Sequence, residues 1–283
     1  LVLSEHDYKG DFGKLSNILK YYRTYGIKIA INQVGSESHI DYIKMLSPNI
    51  LKVNIEKLSY ESWSAQNDLF TSLGSLARKI GANMLFEGID SVHQLQFAWK
   101  NGGRYYQGKY LATAQADTVS RELLKDHFKE KFQQFITTEK RLLEEKYNEL
   151  KNLQNMLETA IGHIKPTSDN IEQLLLLAEE LNDCSFRIYI CNEDGFQLSP
   201  NIMQVDKKWT VQEDAVNKNW SWRPYFLKTI IKMRNDQSGV FSDMYSDIET
   251  GEMMRTFSIP LNDREYLFID ISYDYLFKYN IFR

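Results

Sequence analysis

Two short apolar runs near the N-terminus constrain the fold more than any other feature of this chain. Residues 27–35 read Ile-Lys-Ile-Ala-Ile-Asn-Gln-Val-Gly, and residues 46–54 read Leu-Ser-Pro-Asn-Ile-Leu-Lys-Val-Asn. Each is β-branched, too short for a stable helix, and largely apolar on both of its alternating faces, the pattern of a strand buried inside a parallel sheet. Parallel neighbours need a crossover, and residues 40–46 supply helical spacing between them, closed by Ser47-Pro48. The first run ends in two amides, Asn32 and Gln33.

The same alternation continues on either side. Residues 1–3 read as a strand, 12–25 as a helix stopped by Gly26, 69–80 as a helix stopped by Gly81, 84–86 as a strand, 93–100 as a helix and 104–107 as the start of a fifth strand. A serial β-α array is expected, with too few strands to close an eight-stranded barrel. The chain starts inside a strand with no initiating Met, so the first half of this domain is expected to lie outside the sequence.

From residue 117 the character changes. Glycine and proline vanish until Gly162, and Leu143, Leu150, Leu157 and Ile164 fall seven apart, with Tyr147 and Ile161 on the alternate seam. We expect one helix over 117–164, N-capped by Asp117 or Thr118 ahead of Arg121-Glu122 and roughly 70 Å long if unbroken. Its leucines need cover, which a homodimer would supply. Pro166 breaks it, and a short amphipathic helix over 171–181 leads into a β-rich segment. There Phe186, Ile188 and Ile190 alternate before the turn Asn192-Glu193-Asp194-Gly195. A helix over 220–234 is entered through Trp-Ser-Trp-Arg-Pro, and strands over 253–259 and 266–271 follow the turn Glu249-Thr250-Gly251. A helix packed on an antiparallel sheet is the simplest assembly.

Composition narrows the function classes. With 283 residues, 43% hydrophobic, 25% charged and a net charge of −4, the chain has room for two ordinary globular domains and no basic footprint for duplex nucleic acid. No apolar run reaches the roughly 18 residues of a membrane span, and no secretory leader is visible. Cys184 and Cys191 lie seven apart on an extended segment, too far to bridge directly, and read as reduced thiols of a cytoplasmic protein. His6, His39, His93, His127 and His163 show no ligand spacing, and the acidic run Asp243, Asp247, Glu249 and Glu252 lacks the spacing of a calcium loop.

In β-α barrels the chemistry gathers where strands end. The polar residues there are Glu5, Asn32, Gln33, Lys52, Asn54, Glu87 and Gln107. Singly, each is as well explained by a strand end meeting water. Together with Leu76-Ala77-Arg78-Lys79-Ile80-Gly81, Phe86-Glu87-Gly88-Ile89-Asp90 and Tyr106-Gln107-Gly108-Lys109-Tyr110-Leu111, in that order, residues 1–116 resemble the second half of an EAL domain. The resemblance implies a cyclic di-GMP site served by two divalent metals, with a metal-activated water attacking a phosphodiester.

Residue by residue, Lys52, Glu87 and Gln107 match that family's lysine, Glu-Gly glutamate and Gln-Gly glutamine, and Glu5 matches a glutamate that orders its active-site loop. Val2 replaces a metal-binding glutamate, Asn32 and Gln33 replace the paired aspartates, and Asn54 replaces the aspartate after the lysine. Amides keep a carbonyl oxygen and lose the charge, so a pair of dications loses its ligands. No intact catalytic set is expected, and no metal or other cofactor; Mg2+ or Mn2+ enters only if activity persists. Cyclic di-GMP can still be held through Lys52 or Arg104 against phosphate.

In the C-terminal segment, Trp220-Ser221-Trp222-Arg223-Pro224-Tyr225-Phe226 and Ser242-Asp243-Met244-Tyr245-Ser246-Asp247 resemble the PAS/Cache class of sensor domains. That resemblance implies a small-ligand pocket in which Arg223 meets a carboxylate and Tyr225, Tyr245 and Asp247 line the site. The structural alternative pairs Arg223 with Asp243 or Asp247. The expected fold is thus α/β: the C-terminal part of an EAL-type (β/α) barrel over 1–116, a connecting helix over 117–165 and an α+β PAS/Cache-like domain over 166–283. The expected function is non-hydrolytic regulation in cyclic di-GMP signalling, with an unknown small ligand at the sensor. A weak metal-dependent phosphodiesterase and a dimerising scaffold remain the alternatives.

Overall fold

The computed structural model describes residues 1–4, 7–35, 38–57, 63–117, 120, 122–223, 226–248 and 250–281, with backbone alone for 63–68. Glu5, His6, Thr118, Arg121, Pro224, Tyr225 and Glu249 lie outside the described residues. The chain divides into two compact units, Leu1–Thr137 and Thr138–Arg283.

Unit 1 alternates β1 (Val2–Ser4), α1 (Phe12–Thr24), β2 (Ala30–Asn32), α2 (Ile40–Leu46), β3 (Ile50–Asn54), α3 (Trp63–Ile80), β4 (Asn83–Glu87), α4 (Val92–Lys100) and β5 (Gly103–Gln107). The five strands form one parallel sheet in sequence order, which fits a partial β/α barrel. Local chemistry fixes the ends. Asp11 caps α1, Ser91 and Gln94 form a reciprocal capping box on α4, and Gly26 and Gly81 end their helices at positive φ.

One strand is shorter than its apolar run predicts. Residues 27–29 stay outside β2 because the Ile29 amide donates to the Asn49 side chain at 2.9 Å instead of to a ladder partner. Side chains alternate across the sheet. Leu51, Val53, Met84 and Phe86 are buried on one face with Leu19, Ile43, Phe70, Leu73, Leu95 and Ala98 of the helices. The opposite face carries the polar residues.

The helix predicted over 117–164 begins later, as α5 (Lys125–Ile164). Upstream, the Ser120 hydroxyl accepts from the Glu122 amide, a local turn that competes with helix. Within unit 1, Phe128, Phe132 and Phe135 of α5 pack on the core. Within unit 2, Leu153, Leu157, Ala160 and Ile161 are buried with α6 (Ile171–Glu180) against a sheet. Most of the heptad is therefore covered by its own chain, while Leu143 and Tyr147 remain exposed.

Unit 2 contains β6 (Ser185–Asn192), β7 (Asn201–Val205), β8 (Lys208–Gln212), α7 (Phe226–Asp236), β9 (Val240–Phe241), β10 (Tyr245–Ser246), β11 (Met253–Pro260), β12 (Glu265–Ile271) and α8 (Tyr273–Lys278). The antiparallel sheet runs β10-β11-β12-β6-β7-β8, with β9 also paired to β11. One face meets α5, α6 and α8 through Ile188, Ile190, Phe257, Ile269 and Leu276. The other meets α7 through Tyr189, Phe268, Phe226, Ile230 and Met233. The β7–β8 hairpin is absent from the sequence reading. Its turn places Asp206 and Lys207 at φ 49° and 62°, the conformation of a tight hairpin turn, without the glycine that would have announced it.

Candidate functional site

Parallel register assembles the polar face of unit 1. Ser4 pairs with Asn32, Asn54 with Glu87, and Glu87 with Gln107, while Ala30 opposite Ile50 sets Asn32 and Lys52 on the same side. Six polar side chains thus share one face at the C-terminal ends of five adjacent strands. The backbone continues past those ends: Val34 donates to Lys52, Ile55 to Glu87 and Ile89 to Gln107. Two glycines permit this closeness. A Cβ on Gly88, at φ 80°, would stand 2.7 Å from the Glu56 amide nitrogen, and one on Gly108 would overlap the Ile89 backbone. The Glu-Gly and Gln-Gly motifs are therefore packing motifs as much as chemical ones.

Lys52 and Glu87 form a half-buried ion pair, Nζ to Oε2 2.9 Å. Asn54 Oδ1 is taken by the Glu56 amide at 2.9 Å. Asn32 Oδ1 and Ser4 Oγ are buried with no hydrogen-bond partner among the described residues. Gln33, in the left-handed region at φ 56°, is exposed, so the two amides do not act as a pair. Val2 lies on the same face two residues before Ser4. Arg104 stands at the start of β5, beside a register shift and three residues before Gln107; the structure does not bring it to the others. Glu5 lies outside the described residues.

The donor set decides what the face can hold. Among the described residues it has one carboxylate, already bridged to an ammonium, together with amides and a hydroxyl, and no group of three His, Cys, Asp or Glu converges. By themselves the described residues of this face supply fewer anionic oxygens than two adjacent dications need. One cation and several amide donors can meet the oxygens of a phosphate group.

Unit 2 holds the second candidate site. The loop before α7 is fixed by Trp220, whose indole donates to the buried Gln197 side chain at 2.9 Å and whose amide donates to Gly195. Arg223 lies over the Trp220 ring, 4.5 Å from its centroid, and 5.9 Å from that of Trp222. A cavity of about 200 Å³ opens beside it, bounded by Arg187, Tyr189, Asn201, Trp222 and Ile248 as well. A narrower recess continues past Tyr245, Thr256 and Ser258.

Behind the cavity runs a buried polar chain. Arg187 donates through Nε to Asp270 at 2.7 Å and through Nη2 to Asp247 at 2.9 Å. Asp270 also accepts from Thr256 at 2.6 Å, and Thr256 meets the Tyr245 hydroxyl at 2.6 Å. Burial works to raise both carboxyls. It prevails at Asp270, whereas the Arg187 hydrogen bond and charge hold Asp247 below the usual carboxylate range.

Among the residues expected to serve a ligand here, Arg223 and Tyr245 line the space, and Tyr225 lies outside the described residues. Asp247 is not among the residues that bound the cavity, and it pairs with Arg187. Sequence reasoning passed over Arg187 and Asn201, and held Trp222 only as part of its motif. A signal for Arg187 existed, since an arginine interrupts an otherwise buried strand.

The EAL domain profile matches residues 1–114, and that of the EAL-domain associated signalling protein domain matches residues 118–282. The uncharacterized EAL-domain containing protein YkuI of Bacillus subtilis (strain 168) is 47% identical over 283 residues, 98% of this chain and 69% of that protein. The crystal structure of B. subtilis YkuI, in complex with substrate c-di-GMP and calcium, superimposes with a TM-score of 0.92 at 46% identity, covering 100% of this chain and 70% of that one. The PaMucR phosphodiesterase in its c-di-GMP complex gives a TM-score of only 0.36 at 25% identity over 40% of this chain and 47% of its own, too low to bear on the site.

Proposed function

The chain belongs to the EAL-domain family, in the branch that carries the EAL-associated signalling domain, and from that premise we propose a regulatory protein that binds cyclic di-GMP without hydrolysing it. The observation that carries this reading is the Lys52–Glu87 pair set among amides on the polar face. An ammonium and amide N–H groups attract phosphate oxygens that a cluster of carboxylates would repel without metals. Loss of a metal pair removes both the nucleophile's activation and the charge that stabilises the transition state; each factor of ten in rate is only about 1.4 kcal/mol. The likeness to YkuI, crystallised with the dinucleotide, supports binding.

The C-terminal unit reads as a PAS/Cache-like sensor, supported by its cavity between sheet and α7. The protein is proposed to work in the cytoplasm; no helix among the described residues is long and apolar enough to cross a membrane. A weak metal-dependent phosphodiesterase is the second reading, favoured by the calcium and the substrate c-di-GMP bound in the YkuI complex. A homodimeric scaffold rests only on exposed Leu143 and Tyr147.

Calorimetric titration of the full-length protein, with and without Ca2+, tests the first reading against these. Cyclic di-GMP should bind, Lys52→Ala should weaken it at least tenfold, and incubation with Mg2+ or Mn2+ should leave the dinucleotide intact. Linear product above background, abolished by Glu87→Ala, would instead establish the phosphodiesterase.

A further inference from the structure

We propose that strand β8, the outer edge of the unit 2 sheet, pairs with the same strand of a second copy of this chain and joins the two sheets about a two-fold axis. The sheet ends at β8 on one side and at the two-residue β10 on the other. β8 reads Lys-Trp-Thr-Val-Gln, and its register on β7 runs from Asn201–Gln212 to Val205–Lys208 without a shift. Edge strands are normally blunted by a central charge, a proline or a bulge. The centre of this one, Trp209-Thr210-Val211, has none of these and consists of strong β-formers.

The turn decides which backbone groups face outward. Val205 and Lys208 close a two-residue hairpin through Asp206 and Lys207, both at positive φ, and the residues closing such a turn exchange hydrogen bonds. Alternation then directs Lys208, Thr210 and Gln212 toward β7. The Thr210 hydroxyl donates to the Met203 carbonyl at 3.0 Å, which agrees with that carbonyl facing β8. Trp209 and Val211 are left with N–H and C=O directed away from the sheet, and no turn or loop backbone among the described residues bonds to them. Val211 is 40% exposed.

The edge is complementary to itself. An antiparallel pair centred on Thr210 sets Trp209 against Val211 of the second copy, and Val211 against its Trp209, which satisfies the outward N–H and C=O of both residues. The side chains of these pairs lie on the face that carries Ile202, where aromatic and β-branched neighbours on facing strands attract. The same centring brings Lys207 and Lys208, at one end of the strand, to Glu213 and Gln212 at the other end of the second copy. A basic end thus meets an acidic one, twice over by symmetry. A slip of one residue would set Thr210, whose backbone is committed to β7, against an outward residue and lose the ladder.

Sedimentation equilibrium of the full-length protein over a range of concentrations tests the pairing. The mass should rise to twice that of the monomer. Val211→Pro should return it to monomer, because the ring removes an outward N–H and none that β7 needs, and the melting temperature should hold. Glu213→Lys, which sets like charges against Lys207, should raise the dissociation constant severalfold. Adding Lys207→Glu should restore it, a reversal that a folding defect would not produce. If Val211→Pro lowers the melting temperature, this charge exchange decides by itself. A monomer at every concentration would overturn the proposal. So would a dimer that Glu213→Lys and Val211→Pro leave unchanged, which would place the contact elsewhere, as at exposed Leu143 and Tyr147.

Discussion

Replacing Arg187 with methionine should cost unit 2 about 4 kcal/mol, because it strands two carboxylates rather than one. Arg187 is 5% exposed, Asp247 2% and Asp270 0%, and the guanidinium supplies charge-assisted bonds of 2.7 and 2.9 Å to them. Removing one member of a buried pair typically costs about 3–5 kcal/mol, since the remaining charge has neither water nor partner. The upper end is not reached, because burial already pushes the Asp270 carboxyl up, so it takes a proton with less penalty once its cation is gone. Urea unfolding followed by tryptophan fluorescence reads this well, since Trp209, Trp220 and Trp222 all belong to unit 2. With a slope of about 2 kcal/mol per molar, the midpoint should fall by about 2 M. Adding Asp247→Asn and Asp270→Asn removes the stranded charges and should return roughly half of the loss. A single variant within about 0.5 M of the parent, or a triple variant no better than the single, would refute this account.

Three further outcomes are expected. Burial raises the Cys184 thiol to about 12 and raises that of Cys191 too, so neither should react with a thiol reagent at pH 8 until urea is added, when both should. Gly108→Ala should destabilise unit 1 by about 3 kcal/mol or more, read as loss of helical signal on mild heating, because a Cβ there collides with Ile89 backbone rather than a movable side chain. Asp247 is held below its ordinary pKa, so its stabilisation is present above about pH 4 and is lost as pH falls through the lowered value; Asp270, pushed up, acts in the opposite sense. Asp247→Asn should therefore flatten the acid limb of the stability curve below about pH 4, and an unchanged limb would contradict that assignment.

What could be read from the chain and what could not divides along physical lines. Buried parallel strands announce themselves by composition, so the run 46–54 contains β3 (Ile50–Asn54), and Asn83–Glu87 lies within one residue of its reading at each end. The β7–β8 hairpin stayed hidden because Asp206 and Lys207 reach positive φ with no glycine, a choice made by the strands around them. The late start of α5 came from a serine hydroxyl competing for a backbone amide. At the sites, strand parity was enough to gather Asn32, Lys52, Asn54, Glu87 and Gln107. Pairing between distant segments was not legible, so nothing in the sequence announced the ion pair between Asp247 and Arg187.

The strict alternation across the sheet of unit 1 has a consequence for how such a protein can change over generations. Leu51, Val53, Met84 and Phe86 keep the sheet folded, while the residues between them face the candidate ligand. Mutation can therefore rewrite the chemistry without passing through an unfolded intermediate. An aspartate in place of Asn54 would set a second carboxylate directly across from Glu87, and without a cation to share the charge the two would repel. Electrostatics, more than packing, thus limits which side chains this face accepts.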